Sequence, residues 1–457
     1  MANLIDDTIA AISTPIGKSG IGVIRLSGQD ARKITESVLS APHRDLQDHT
    51  TTLRSIRCGR SGRILDEIMV TYFQAPRSFT REDVVEIGCH GSPVVLKAVL
   101  GLLLESGARM ATPGEFTLRA YFQGRIDLVQ AEGIRAIIEA KTLFQAQIGR
   151  QQASGSLSRR ISPVKKALVQ LVAMLEAGID FADDDVPITS DEEIERQLKS
   201  ISGSLASLEA SFSLGRLVSE GLSVAIVGRT NVGKSTLFNS ILAQDRSIVS
   251  ATPGTTRDMI AESGELEGVP VRWMDTAGIR GTADSTEKIG IEKTKETVAD
   301  ADKVLLVLDG SSDLTEQDLD LYGELKNQPF CLVINKIDRT QRLNEARLGK
   351  IDGPIVRVSA LTGEGVDVLK GILVGELEHL QMLEQEGTFV TNLRQQELIG
   401  GALAAAAAAA SSLRQGLPHE VILLDLQRAL RALNALTGET TVEDILENIF
   451  ATFCIGK

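Results

Sequence analysis

Residues 223–242 read SVAIVGRTNVGKSTLFNSIL, and this stretch decides the fold of the middle of the chain. SVAIV is an apolar strand run, GRTNVGKS (228–235) matches the pattern GxxxxGKS, and STLFNSIL has helical spacing. A strand, a glycine loop and a helix in that order wrap backbone N–H groups around phosphates at a helix N-terminus. Asn231, Val232, Gly233, Lys234, Ser235 and Thr236 are then the phosphate-loop contacts. Lys234 would reach the β- and γ-phosphates, and the Ser235 hydroxyl would hold Mg²⁺.

Downstream motifs follow in the order a nucleotide-binding domain requires. TPGTTRD (252–258) offers Thr256 as a second Mg²⁺ hydroxyl that senses the γ-phosphate. VRWMD leads into Asp275, Thr276, Ala277 and Gly278, where Asp275 serves the Mg²⁺ shell and Gly278 donates to the γ-phosphate. FCLVIN runs into Asn335, Lys336, Ile337 and Asp338. A carboxylate at Asp338 accepts from guanine N1–H and N2–H₂, a donor pair adenine lacks, and a polar site left unpaired discriminates by about 10⁴-fold. Ser359 and Ala360 follow IVRVS at the place of the guanine O6 contact. The base is guanine. One position breaks the Ras-like pattern: Ile279 stands where a water-positioning glutamine follows DxxG. Glu287, in the segment IRGTADSTEKIGIE, is the carboxylate that merits attention in its place, and Asn231 brings an oxygen able to ligate a monovalent cation.

Alternating β and α patterns extend from Leu222 to about Leu377, one doubly wound domain. Before it, residues 1–122 mix strand runs (TIAAIST, IGVIRLSG, DEIMVTYF), the helix SPVVLKAVLGLLLESGA and Gly/Pro-rich loops, an α+β domain. Residues 123–220 and 378–457 have helical periodicity, with Ser190 and Glu193 forming a capping box. The expected architecture is therefore multidomain: an N-terminal α+β domain (1–122) and a helical domain (123–220 and 378–457) with a P-loop α/β domain (221–377) inserted into it. At about 150 residues per domain, 457 residues have room for these three.

The charge, 48 basic against 61 acidic residues, argues against a generic nucleic-acid coat. It is uneven: residues 1–122 are net +1, and no acid occurs between Glu139 and Glu176, where Lys141, Arg150, Arg159, Arg160, Lys165 and Lys166 lie. A solvated helix face is the commoner meaning of such a run; a local RNA-phosphate contact is the other. Four cysteines and five histidines show no metal spacing, and Cys89-His90 reads as a strand end. The opening MANLIDD is acidic where a signal peptide is basic, and no apolar run reaches about 18 residues, so a cytoplasmic chain that does not span a membrane is expected.

GRTNVGKS, TPGTTRD, DTAGIR with EKIGIE downstream and NKID, together with GIGVIRLSG, SFTRED, PGEFTLRA, IDLVQAE and the final CIGK (454–457), resemble the MnmE (TrmE) family of bacterial tRNA modification GTPases. The resemblance spans the whole chain. It implies a Ras-like G domain and an N-terminal domain that binds folate and dimerises. It also implies a homodimer that joins an FAD-dependent partner, MnmG (GidA), in a heterotetramer. That complex places an aminomethyl or carboxymethylaminomethyl group on C5 of the wobble uridine of certain tRNAs, using 5-formyltetrahydrofolate as the presumed one-carbon source. Family folate contacts fall on Arg25, Glu82, Arg125 and Lys457; the family often has lysine where this chain has Arg125. The same likeness places K⁺ among Asn231, Ser250, Thr252 and Thr255, with Ala251, Pro253 and Gly254 in the same GTP-contacting loop, and makes Glu287 the catalytic carboxylate that orients water. The cation would do an arginine finger's electrostatic work when G domains pair.

Two other classes remain at this point, a non-modifying GTPase switch in ribosome assembly and a free-standing folate enzyme with an appended GTPase. The N-terminal domain and the terminal Cys454 speak against a pure switch. Cys454 is the candidate for the modification chemistry; by default a cysteine after an apolar run is a small buried hydrophobe, but Gly456 and the charge of Lys457 favour a reactive thiolate. The acidic balance favours RNA recruitment shared with a basic partner.

Overall fold

The computed structural model describes the chain apart from residues 1–6, 41–45, 58–61, 181–189, 245–260, 267–268, 275–300, 326–328, 352, 376–388, 441–442 and 457. The phosphate-sensing loop (Ser250 to Thr256), the DxxG segment (Asp275 to Gly278), Ile279, Glu287 and Lys457 all lie outside the described residues. Two compact units emerge: Met1–Arg135 with Gln152–Ile201 and Gly401–Lys457, and Ala136–Gln151 with Ser202–Gly400.

The first unit is built on strands β1 (Ile9–Ile12), β2 (Ile21–Ser27), β3 (Thr50–Arg57), β4 (Ile64–Phe73), β5 (Val84–His90) and β6 (Arg109–Met110). Their order is β3-β4-β5-β2-β1-β6, antiparallel except for β1 with β6. Alternation explains the two faces. In β2, Ile24 and Leu26 point into a core shared with Ile68, Val70, Ile87, Val99 and Leu103, under helices α1 (Ala31–Val38) and α2 (Pro93–Glu105). Val23 and Arg25 point the other way. On that face α3 (Glu115–Phe122) inserts Phe116 against Ile9 and Ala11.

An ion network ties α3 to the sheet. Arg119, 2% exposed, donates to Glu82, Glu115 and Asp7. Burial alone would raise the Glu115 carboxyl, but bonds from Arg109, the Thr112 N–H and Arg119 outweigh it and hold the group below its ordinary value. Removing one partner would strand a buried charge, at a cost of about 3–5 kcal/mol.

Helices α6 (Ser156–Asp180), α13 (His419–Thr437) and α14 (Glu443–Ala451) belong wholly to this unit, while α4 (Leu128–Glu139), α5 (Leu143–Ala153), α7 (Asp191–Ala210) and α12 (Leu393–Arg414) are divided between it and the second. The sequence pattern starts a helix near Ser162, with Pro163 in its first turn. Instead α6 begins at Ser156 and runs through Pro163. Leu157, Ile161, Val164, Leu168, Leu171 and Leu175 form one buried stripe, and this packing offsets the rung that proline removes. At α7 the Glu193 N–H donates to Ser190 Oγ at 3.4 Å, the first half of the expected capping box. The Glu193 carboxylate instead pairs with Arg196 and Gln197.

The second unit has α8 (Phe212–Glu220), β7 (Leu222–Val227), α9 (Lys234–Gln244), β8 (Ala261–Leu266), β9 (Val269–Met274), β10 (Lys303–Asp309), α10 (Glu316–Leu325), β11 (Phe330–Asn335), β12 (Ile355–Arg357) and α11 (Val366–Val374). Its sheet order is β12-β11-β10-β7-β9-β8, parallel except for the β8–β9 pair. The packing crosses the sequence segmentation here. Phe144 and Ile148 of α5, Leu217 and Val218 of α8, and Phe389 join the core under this sheet.

Among the described residues no helix is long and apolar enough to cross a membrane.

Candidate functional site

In the second unit, β7 delivers the chain into the glycine loop and α9 takes it out, as GxxxxGKS requires. Gly233 has φ +100°, and a Cβ there would lie 2.3 Å from Asn335 Nδ2. Only glycine lets the loop close against the base-recognition strand. The Lys234 ammonium donates to the carbonyls of Gly228 (2.6 Å) and Arg229 (2.9 Å), inside the hollow that phosphate oxygens would fill. Val232 is buried beneath, while Ser235 follows at the head of α9, with Thr236 exposed beside it.

The base-recognition residues converge on the same loop. Asn335 donates through Nδ2 to Val232 O (2.8 Å) and accepts from Ala360 N at Oδ1 (3.0 Å). Lys336, in left-handed backbone at φ +65°, donates to Asn231 O (2.7 Å) and to Asp309 Oδ2 (2.6 Å). Asn231 is itself left-handed, φ +63°. Burial would raise the Asp309 carboxyl, yet bonds from Lys336 and Ser311 hold it below its ordinary value. Ser359 Oγ donates to Asp338 Oδ1 (2.6 Å), and Asp338 itself stands exposed, its carboxylate fixed before any base arrives. Asp309 was invisible to motif reading, because nothing in LLVLDGS marks the aspartate as a partner for a lysine 27 residues on. The donors suit Mg²⁺ nucleotide: a hydroxyl at a helix N-terminus beside a lysine that neutralises phosphate. Among the described residues no group of three or more His, Cys, Asp and Glu gathers as a metal site.

In the first unit Arg25 pairs with Glu86 directly across β2 and β5, with Nη2 2.6 Å and Nε 3.0 Å from Oε1. Its guanidinium carbon lies 5.8 Å from the centre of the Phe116 ring. The C-terminal tail comes to the same place. Arg25 Nη1 donates to Gly456 O (3.3 Å), Ser13 Oγ donates to the same carbonyl (3.1 Å), and Gly114 N donates to Cys454 O (3.4 Å). Gly456 is not the free joint its type implies: at φ +91° a Cβ would lie 2.7 Å from Ile12 O. Glu82 is only 8% exposed, accepting from Ser27 Oγ (2.7 Å) and Arg119 Nη1 (3.3 Å). Arg125 Nη1 donates to Ser78 O (2.8 Å), and Ser78 Oγ bonds the Glu82 carbonyl. The structure thus connects Glu82 and Arg125 through Ser78, whereas the hydrogen bonds of Arg25 go to Glu86 and the Gly456 carbonyl. Sequence reasoning missed Glu86, whose only signal is a strand register that a sequence does not print.

A family model described as the MnmE helical domain matches residues 128–454, and one described as GTP-binding protein TrmE N-terminus matches residues 8–125. The tRNA modification GTPase MnmE of Koribacter versatilis is 47% identical over 456 residues, covering 99% of this chain and 100% of that protein. The chain belongs to the MnmE family of tRNA modification GTPases. The MnmE of Alkaliphilus oremlandii is 39% identical over 459 residues, 99% of this chain and 100% of that protein. Among solved structures, the G domain of the T. maritima FeoB iron transporter is 29% identical, covering 34% of this chain and 97% of its own, with a TM-score of 0.27. As a member of the MnmE family the chain is a GTP hydrolase with an N-terminal TrmE domain, a helical domain and a P-loop G domain.

Proposed function

We propose that this GTPase works as a homodimer with an FAD-dependent partner of the MnmG (GidA) kind in the cytoplasm. There it helps install an aminomethyl or carboxymethylaminomethyl group on C5 of the wobble uridine of certain tRNAs. The observation that carries this reading is the docking of the Cys454–Gly456 tail beside Arg25. It sets an exposed thiol near a cation and an aromatic face, a setting for a flat ligand with an acidic tail. A reduced folate such as 5-formyltetrahydrofolate, bound there, would supply the one-carbon unit. Arg25 would fork its carboxylate, Arg125 and Lys457 would add positive charge, and the buried Glu82 would fix Ser27 and Arg119 at the pocket's base. The same sheet face exposes Leu53, Met69 and Ile21 in adjoining strands, apolar surface suited to a second copy. Mass spectrometry of wobble nucleosides from a deletion strain tests the function; unchanged nucleosides would overturn it.

Arg25→Ala is expected to abolish reduced-folate binding in calorimetry while leaving GTP hydrolysis intact. Undiminished folate affinity would refute the placement.

In the G domain, Ser235 and Thr256 would hold Mg²⁺, and Asn231, Ser250, Thr252 and Thr255 would ligate K⁺. The Lys336 bond fixes the backbone of Asn231 for that task. Glu287 would orient the attacking water where Ile279 cannot. Glu287→Ala should spare GTP affinity and lower turnover by about 10²–10⁴-fold. Equal rates in K⁺ and Na⁺ buffers would count against the cation, and a fully active variant against the carboxylate.

A further inference from the structure

The buried stripe of α6 leaves the opposite side of that helix open. Ser158, Ser162, Lys166 and Val169 line a cleft of about 870 Å³ within the first unit. Its other walls are Tyr121 and Phe122 at the end of α3 and the turn after α13. The acids lining it are already engaged. Glu439 accepts from Lys165 Nζ at 2.6 Å, and Asp127 Oδ1 accepts from Gln130 N at 2.8 Å, capping α4. Lys166 is exposed and makes no ion pair among the described residues. Arg159, also exposed, lies seven residues earlier on nearly the same side, two turns or about 10 Å away, and its guanidinium donates to the Ser154 carbonyl, a neutral partner. No acid in the sequence between Glu139 and Glu176 offsets these cations.

We infer that this cleft receives a single-stranded RNA segment, one base against the Tyr121 and Phe122 rings and the backbone phosphates on Lys166 and Arg159. The inference rests on the reading that the chain acts on tRNA. Three features favour RNA over a small anion. Half-buried aromatic rings give a stacking wall, which single-stranded nucleic acid uses and an inorganic anion does not. Arg159 stands just beyond the cleft's lining, its backbone about 10 Å along the helix from that of Lys166, a span longer than one phosphate step. Hydroxyl and amide groups (Ser162, Gln170) stand where ribose and base edges would pass.

The test is fluorescence anisotropy of a labelled, unmodified tRNA transcript on the full chain across a KCl series. Arg159→Gln with Lys166→Gln should weaken binding at least tenfold. The slope of log affinity against log salt should fall by about 1.4, two single-strand phosphate contacts. Arg159→Lys with Lys166→Arg should restore both. GTP hydrolysis and reduced-folate titration should stay at the level of the unaltered protein. Unchanged tRNA affinity and slope in the glutamine variant would overturn the inference. So would the absence of salt-dependent tRNA binding by the unaltered chain, or a loss of folate binding with RNA binding kept, which would give the cleft to the folate. Normal wobble nucleosides in the deletion strain would instead remove the functional reading, a separate readout from this one.

Discussion

Asp338→Asn is expected to shift nucleotide preference from GTP towards xanthosine triphosphate by about 10⁴-fold. Guanine offers N1–H and N2–H₂ to a carboxylate. An asparagine amide presents a donor where one of those hydrogens arrives, and xanthine's C2 carbonyl is the group that accepts it. The geometry favours a clean exchange. Ser359 Oγ holds Asp338 Oδ1 at 2.6 Å, and Ile337 N donates to Val358 O at 3.2 Å, so side chain and backbone are set before the base arrives. Because Asp338 is exposed, the substitution should change stability by no more than about 0.5 kcal/mol, leaving specificity as the variable that moves. Competitive titration of GTP against xanthosine triphosphate reads the effect. An unchanged preference would take the base-recognition role away from Asp338.

That site was legible because its signals are local. GRTNVGKS sits between an apolar run and a helical one, and NKID ends an apolar strand; both were found as β7–α9 and the end of β11. What sequence could not supply depends on partners distant along the chain. Asp309 meets Lys336 because β10 and β11 run parallel in register, Asp309 opposite Asn335. Arg25 meets Glu86 because β2 and β5 pair antiparallel. Periodicity gives the face a residue occupies and leaves the opposing residue open. The helical periodicity read from Ser162 onward extends back to Ser156 in α6, because the buried stripe, supported by packing that includes α13, continues to Leu157. The segmentation at residues 123–220 likewise followed composition, whereas Ile148 and Val218 pack by shape into the sheet core of the second unit.

Cys454→Ser is expected to eliminate wobble-uridine modification while GTP hydrolysis and dimerisation stay near normal. The other two described cysteines have no access to a reaction. Burial pushes the Cys89 thiol up to about 12 and the Cys331 thiol up to about 11, and both lie within sheet cores. Cys454 is exposed, so the packing role that the apolar run ENIFATFC implies falls instead to Phe450 and Phe453, which are buried. The backbone at the thiol and just after it is anchored, at Gly114 through the Cys454 carbonyl and at Arg25 and Ser13 through the Gly456 carbonyl. An exposed thiol on a tail held at two points is placed for chemistry with little ordering left to occur on binding. Serine keeps the size and the hydrogen bonding of the side chain but forfeits the thiolate, the stronger nucleophile near neutral pH. A structural role would show as lowered thermal stability or weakened dimerisation in the serine variant, whereas a chemical role leaves both untouched and removes the modified nucleoside. If mass spectrometry found the modified wobble nucleoside at its normal level in a strain carrying Cys454→Ser, the thiol would have no part in the chemistry, and the docked tail would serve to order the pocket around Arg25 alone.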